Sequence, residues 1–334
     1  MKIIAIEEHT VNSAIGAAVA GVVKNNVSYI STFAADDLPG SATANSLTDL
    51  DKGRIEDMDK NGITMEILSY SNPSQWILDE KQAVELCKKA NDDLAALVKR
   101  HPGRFEAFAT LPWVSPEAAA AELRRVVKEY GFKGVLLSGR PQVGAKFLDD
   151  ASYDPVWEAL TELDLPIYIH PGFPVPEVQQ VYYTGFNDKV TTILSSYGFG
   201  WHLEPGIQVL RMILSGVFDR FPSLKVISGH WGEVVAYYIP RFDQTMPPSV
   251  IGLKEKISTY FRRNVYVTPS GIYDYDSLNY CISKFGVDHI IFAADYPYIP
   301  ETDARAFIEN APLSEEDKYL IAQGNAERIF KIKL

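Results

Sequence analysis

Lys2-Ile3-Ile4-Ala5-Ile6-Glu7-Glu8-His9 decides the fold. An almost unbroken aliphatic run this short reads as a strand buried on both faces, the kind that parallel sheets use. Its polar residues are gathered at the C-terminal end. Seven further runs share the character of this one, at residues 65–71, 104–112, 132–139, 165–171, 224–231, 264–270 and 289–297. Amphipathic helical stretches separate them. Ser115-Pro116-Glu117 and Asp154-Pro155 mark helix starts, with an N-cap acceptor ahead of a proline in the first turn. Ile207, Leu210, Ile213, Leu214 and Val217 recur at helical spacing before Pro222 stops the run. Eight βα units without a linker predict one domain over residues 1–334, a (β/α)8 TIM barrel of α/β class. Long loop insertions are expected after strand 1 (residues 10–49) and strand 5 (residues 172–204). The second is rich in aromatics, among them Phe173, Tyr182, Phe186, Tyr197, Phe199 and Trp201, and is expected to cover the barrel mouth or meet a second subunit.

The 334 residues are 46% hydrophobic and carry a net charge of −11, which argues against a phosphate-backbone partner and against disorder. No run is long enough to span a bilayer, and acidic Glu7 and Glu8 stand where a signal peptide would be basic. The two cysteines, Cys87 and Cys281, lie in helical patterns and form no C-x-x-C pair. They are expected to be buried thiols of a cytoplasmic protein.

Polar residues capable of chemistry fall at strand ends: Glu7 and His9 on the first, His170 on the fifth, His230 on the sixth and Asp295 on the eighth. In a barrel these ends share one mouth. Alternation along a strand puts Glu7 and His9 on one face, which suits a metal pair, and turns Glu8 away. Counting back predicts Ala5 and Ala293 inward with Ile4, Ile6 and Phe292 outward, and Ser228 inward with Ile227 outward. One or two imidazoles with two carboxylates suit a single divalent ion, Zn²⁺ first, with Mn²⁺ or Mg²⁺ as alternatives. Glu233 lies within reach of orienting His230 or serves a helix start. His101, His202 and His289 are expected to be loop or packing residues.

Ile6-Glu7-Glu8-His9, Tyr168-Ile169-His170-Pro171, Ser228-Gly229-His230-Trp231-Gly232-Glu233 and Ala294-Asp295-Tyr296-Pro297, in this order, resemble the metal-dependent hydroxybenzoate decarboxylase branch of the amidohydrolase superfamily. The likeness runs to the closing residues 324–330. It implies Glu7, His9, His170 and Asp295 around one divalent ion, with His9 the least secure ligand. It also implies His230, Glu233 and Asp295 in acid–base chemistry, and Arg241 in the substrate pocket. Arg54 is a weaker candidate for the same task. The implied reaction is non-oxidative, reversible loss of CO₂ from a hydroxylated aromatic acid, without an organic cofactor, in a homodimer or homotetramer. The alternative use of the same ion is hydrolysis of a lactone, ester or amide. The fourth strand ends Ser138-Gly139-Arg140, without the lysine that binuclear hydrolases use.

Overall fold

A computed structural model describes residues 1–31, 44–144 and 146–334; of the connection after the first strand, residues 32–43 lie outside the described residues. Seven parallel strands form two arcs. In the first, β1 (Ile4–Thr10), β2 (Met65–Tyr70) and β3 (Phe105–Ala107) are adjacent in order; in the second, β4 (Val135–Ser138), β5 (Pro166–His170), β6 (Lys225–Ser228) and β7 (Val265–Val267) follow. An isolated bridge from Ala109 to Val135 joins the arcs, and another from Val267 to Ile290 adds the eighth segment. The ring of a (β/α)8 barrel results.

The expected eighth strand is the exception to regular pairing. From Ile290 to Ala294 the chain runs beside β1 without a ladder to it, and it turns at Asp295 to Tyr298. Here Phe292 N–H donates to Ile321 O, and the amides of Ala294 and Tyr296 donate to the side chain of Glu8 at 2.9 and 3.1 Å. Among the described residues, only His9 N–H to Tyr296 O, 2.7 Å, spans the seam as a backbone bond. A carboxylate replaces the ladder that would close the barrel.

Two hydrophobic layers fix which way the strands face. Ile4, Ile6, Ile67, Phe108, Leu136, Tyr168, Ile227, Tyr266, Ile291 and Ala293 gather with Phe330 and Ile332 of the C-terminal segment, which plugs one end. Ala5, Leu68, Val135, Ile167, Val226 and Phe292 instead pack with helix residues such as Leu94, Leu123, Trp157 and Met212. The first set is the barrel interior. Ala293 inward and Phe292 outward agree with the sequence reading, whereas Ile4, Ile6 and Ile227 are inward, against it. At β1 the cause is a register shift between Ala5 and Glu8. The extra residue lets Ile6 and Glu7 both face the interior, after which Glu8 turns out and His9 in.

Among the helices, Pro116–Tyr130 starts on its proline as expected, although the Ser115 side chain makes no cap hydrogen bond, and it ends on left-handed Gly131. The helix Leu203–Leu214 buries Val209, Met212 and Ile213, while Ile207 is exposed, so its inner stripe is rotated from the expected one. Two helices, Pro176–Tyr182 and Asp188–Ser195, fill the connection after β5. Cys87 and Cys281 are buried and free, and burial pushes both thiols up to about 12. Among the described residues no helix is long and apolar enough to cross a membrane.

Candidate metal and acid–base centre

The C-terminal ends of β1 and β5 and the eighth segment bring Glu7, His9, His170 and Asp295 together, with ligand atoms all within 4.8 Å of one another. His170 Nε2 is 3.4 Å from Glu7 Oε1, and His9 Nε2 is 3.2 Å from Asp295 Oδ1. Neither Glu7 Oε1, His9 Nε2 nor Asp295 Oδ1 is aligned for a hydrogen bond, although all three are buried. Buried polar atoms are rarely left so. The other ring nitrogens are engaged: His9 Nδ1 lies 3.2 Å from Ser69 Oγ, and His170 Nδ1 2.9 Å from Pro171 O. A backbone carbonyl accepts only from Nδ1–H, so the His170 Nε2 lone pair faces the cluster, as a metal ligand requires. These four residues fit a divalent cation.

Electrostatics agree. Burial, helped by the nearby Asp295 charge, pushes Glu7 up to about 8, while burial and the neighbouring His9 push His170 down to about 3. A carboxyl held neutral by desolvation is what a bound cation would reverse. Glu7 is also gripped from behind: Tyr168 OH donates to its Oε2 at 2.5 Å, Ser270 Oγ donates to the same atom, and Thr268 Oγ1 lies 2.9 Å from the phenol. The sequence signal for Tyr168 was its parity with His170, two residues on.

Against Asp295 stands His230, its Nε2 3.7 Å from Oδ2. His230 Nδ1 pairs with Glu233 Oε1 at 2.8 Å, and Glu233 Oε2 pairs with His202 Nδ1 at 2.9 Å. His202 thus belongs to the acid–base chain, contrary to its reading as a loop residue. Burial opposes charge on His230, but Glu233 and Glu7 raise it well above the usual imidazole range. Burial would raise Glu233, yet the imidazoles of His230 and His202 hold it down to about 2. Burial would likewise raise Asp295, and the close imidazoles of His230 and His9 keep it below the ordinary carboxyl value. Both directions favour a proton on His230 over one on Asp295.

His230 is not on the sixth strand. It opens a run of left-handed backbone, His230, Trp231, Gly232, Glu233 and Val234, with φ between 45° and 83°. Asp295 (φ 63°) and Ser270 (φ 46°) share that conformation. Left-handed non-glycine residues gathered at one place are held there by their surroundings; His230 N–H donates to Ser270 Oγ at 3.1 Å and Trp231 N–H to Thr268 O at 2.8 Å.

Behind the centre, on the outer face of β1, Glu8 accepts the two amides that flank Asp295. Arg54 is buried beside it, donating from Nη1 to His9 O at 2.9 Å and from Nε to Glu66 Oε2 at 2.7 Å. It lies 4.3 Å from the Tyr296 ring centre. Arg54 thus braces the backbone of a ligand from outside the barrel and does not reach the cavity.

The open side of the centre is a cavity of about 250 Å³ walled by Trp76, Phe173, Tyr197, Trp201, Tyr298 and Ile299, with His170, His230 and Asp295 at its polar end. Three of these aromatics come from the connection after β5, whose Tyr182, Phe186 and Phe199 are exposed instead. Arg241 does not reach the cavity within this single chain. It lies outside the lining, on the exposed helix Ile239–Thr245, with Nη1 donating to Gln244 Oε1 at 3.0 Å. Arg140 lines the cavity of this chain instead. His101 pairs with Asp51, and His289 stacks on Tyr266, both away from the site as expected.

The amidohydrolase family profile matches residues 42–332. A gamma-resorcylate decarboxylase of Polaromonas sp. is 38% identical over 297 residues, covering 86% of this chain and 89% of the relative. Decarboxylase orsB of Emericella nidulans is 31% identical, covering 99% of this chain and 98% of the relative. Among solved structures, a dihydroxybenzoic acid decarboxylase of Polaromonas sp. with bound manganese and the inhibitor 2-nitroresorcinol superposes with a TM-score of 0.85. It shares 35% identity, with 99% of this chain and 97% of the other covered.

Proposed function

The chain belongs to the amidohydrolase family, and from that premise we propose that it is a carboxy-lyase, removing CO₂ from a hydroxylated aromatic carboxylic acid with the aid of one divalent metal ion. The observation that carries this is the convergence of three orphaned buried ligand atoms with His170, beside the His230–Glu233 pair, at the floor of an aromatic-walled cavity. A dry cavity of roughly 150 Å³ holds benzene, so the volume here admits one substituted ring. The relatives' decarboxylase names point the same way.

Glu7, His9, His170 and Asp295 would hold the ion, which when bound supplies positive charge for the substrate carboxylate, its ortho oxygen and the electron-rich ring. Two imidazoles favour Zn²⁺; two carboxylates serve Mn²⁺ equally, and manganese is the ion in the Polaromonas decarboxylase. The aromatic walls orient the ring and keep water off it. His230 holds the proton on Nε2, with Glu233 stabilising its charge and His202 fixing Glu233 in place. Asp295 Oδ2 receives that proton and passes it to the ring carbon bearing the carboxylate. The bond to the carboxylate then breaks, its electron pair returns to the ring and CO₂ leaves. By microscopic reversibility the phenol and CO₂ run the same path backwards.

The test is metal-resolved turnover on a panel of ortho-hydroxybenzoic acids, following CO₂ release with bound ion quantified. Chelation is expected to lower the rate at least about hundredfold and either Mn²⁺ or Zn²⁺ to restore it. A metal-replete protein that releases CO₂ from none of the panel ends this reading.

The connection after β5 exposes Val181, Tyr182, Phe186 and Phe199, apolar surface concentrated in one stretch of the chain. We take it as the contact of a homodimer or homotetramer, in the cytoplasm, where two free thiols are at home. Sedimentation at micromolar concentration is expected to give at least twice 37.3 kDa; a monomer there would remove the assembly.

A further inference from the structure

A second group of buried carboxylates lies behind the metal and acid–base centre, on the outer side of the sheet. Glu66 of β2 stands opposite Ala5 of β1 and points away from the interior that Met65 and Ile67 face. Glu301 opens the short helix Glu301–Asp303, which follows the eighth segment. Together with Glu8 these side chains place ligand atoms within 4.8 Å of one another, and none of the three is more than 1% exposed. Arg54 pairs with Glu66 Oε2 at 2.7 Å, and among the described residues that is its one ion pair within 4.0 Å. Glu301 has no ion pair among the described residues, and neither of its oxygens meets a hydrogen-bond donor. Glu66 Oε1 meets none either.

A carboxylate out of water is costly unless a donor or a cation meets its oxygens, and here the arginine meets one oxygen of one glutamate. Burial and the neighbouring Glu66 and Glu8 push the Glu301 carboxyl well above its ordinary value, with Arg54 opposing them. Three carboxylates beside one guanidinium leave an excess of two negative charges, which is the charge of one divalent ion. Donors that are all carboxylate oxygens suit a hard cation, whose bonds of about 2.0–2.6 Å span a cluster of this size. The set differs in kind from Glu7, His9, His170 and Asp295, where two imidazoles admit zinc. Its place in the fold is equally specific. The donors come from β1, from β2 and from the end of the eighth segment, so they straddle the seam where the barrel lacks a ladder.

We propose that Glu8, Glu66 and Glu301 form a second cation site, structural in role, which takes one hard divalent ion such as Ca²⁺ or Mg²⁺. The ion gives Glu301 and Glu66 Oε1 their missing partner and ties residue 301 to β1 and β2. The segment carrying Asp295 is then held at two points, by Glu8 on the amides of Ala294 and Tyr296 and by the ion on Glu301. The site takes no part in bond breaking and does not depend on the decarboxylase reading.

The experiment strips the protein of metal, returns one equivalent of Zn²⁺ for the imidazole-containing centre, and then adds Ca²⁺ or Mg²⁺ separately, counting bound ions by equilibrium dialysis and elemental analysis. The wild type is expected to take up one further equivalent of at least one of them per chain and to unfold at a higher temperature with it. Glu301→Leu removes a ligand that has no other protein partner among the described residues. Its affinity for the second ion is expected to fall at least about a hundredfold, more than the loss of an outer partner costs. The ion-dependent rise in Tm is expected to vanish with it, while the Zn²⁺ equivalent remains. Without added Ca²⁺ or Mg²⁺, E301L is expected to be at least as stable as the wild type, because a buried charge without a partner has been removed. Should leucine disturb the packing, E301Q keeps the volume, drops the charge and is expected to weaken the second ion in the same direction. No uptake beyond the Zn²⁺ equivalent at about 10 mM Ca²⁺ or Mg²⁺, above the dissociation constants of weak protein sites, overturns the proposal. So does a second ion that both E301L and E301Q bind as tightly as the wild type.

Discussion

Asp295→Asn is expected to lower kcat for CO₂ release by about 10³-fold or more, with metal still bound at saturating concentration. The amide keeps a carbonyl oxygen for the ion and nearly the same volume, so the cavity is not remodelled. What it loses is the ability to take a proton from His230 Nε2, 3.7 Å away, and deliver it to the ring. General acid catalysis of this kind contributes about 10²–10⁴-fold, and weakened charge at the ligand position adds to the loss. Measured metal content separates the two contributions: a variant that binds one ion and fails to turn over isolates the proton transfer. Full activity in metal-loaded D295N would remove the central role given to this residue.

Glu8→Ala is expected to be the most damaging change outside the cavity. The carboxylate is fully buried and accepts the amides of Ala294 and Tyr296, which among the described residues no other acceptor meets. Stranding two buried donors costs roughly 1–3 kcal/mol each. Burial and the neighbouring Glu66 push the Glu8 carboxyl well above its ordinary value, while Arg54 and the two amides oppose them. Those amides flank Asp295, so the same change loosens a metal ligand that is already held at a positive φ. Metal affinity is expected to fall about 10–100-fold, the usual scale for losing an outer partner of a ligand. Denaturant unfolding of the metal-free protein and metal titration read the two effects separately. Glu8→Gln keeps one acceptor oxygen and should recover part of each. Unchanged unfolding and unchanged affinity in E8A would show that the seam closes without this side chain.

Much of the centre was legible in the chain because strand ends advertise themselves. Glu7, His9, His170 and Asp295 each terminate an apolar run, and a closed barrel brings such ends to one mouth. What resisted reading has specific physical causes. The bulge in β1 is a backbone event with no residue signature, and it reverses the facing of Ile4 and Ile6 while leaving Glu7 and His9 inward. The turn holding His230 adopts left-handed backbone at four non-glycine positions, so alternation counted along β6 ends before it reaches the histidine. His202 gains its partner across 31 residues from a connection that had no periodicity to follow. Arg140 escaped notice for a similar reason: it sits in no motif, and its place at the cavity wall is set beside the distant Glu204.

The clasp between Glu8 and the eighth segment also has a consequence for how the protein comes into being. Residues from the first strand and from position 295 meet at one ion site, separated in sequence by nearly the whole chain. During synthesis the earlier ligands emerge first and must wait, unpaired, until the last βα unit has left the ribosome. Domains form as units as the chain is delivered, so here ring closure and the capture of a metal ion are one terminal event. No shorter nascent intermediate holds the complete ligand set, which keeps a half-built barrel from trapping metal before its cavity exists.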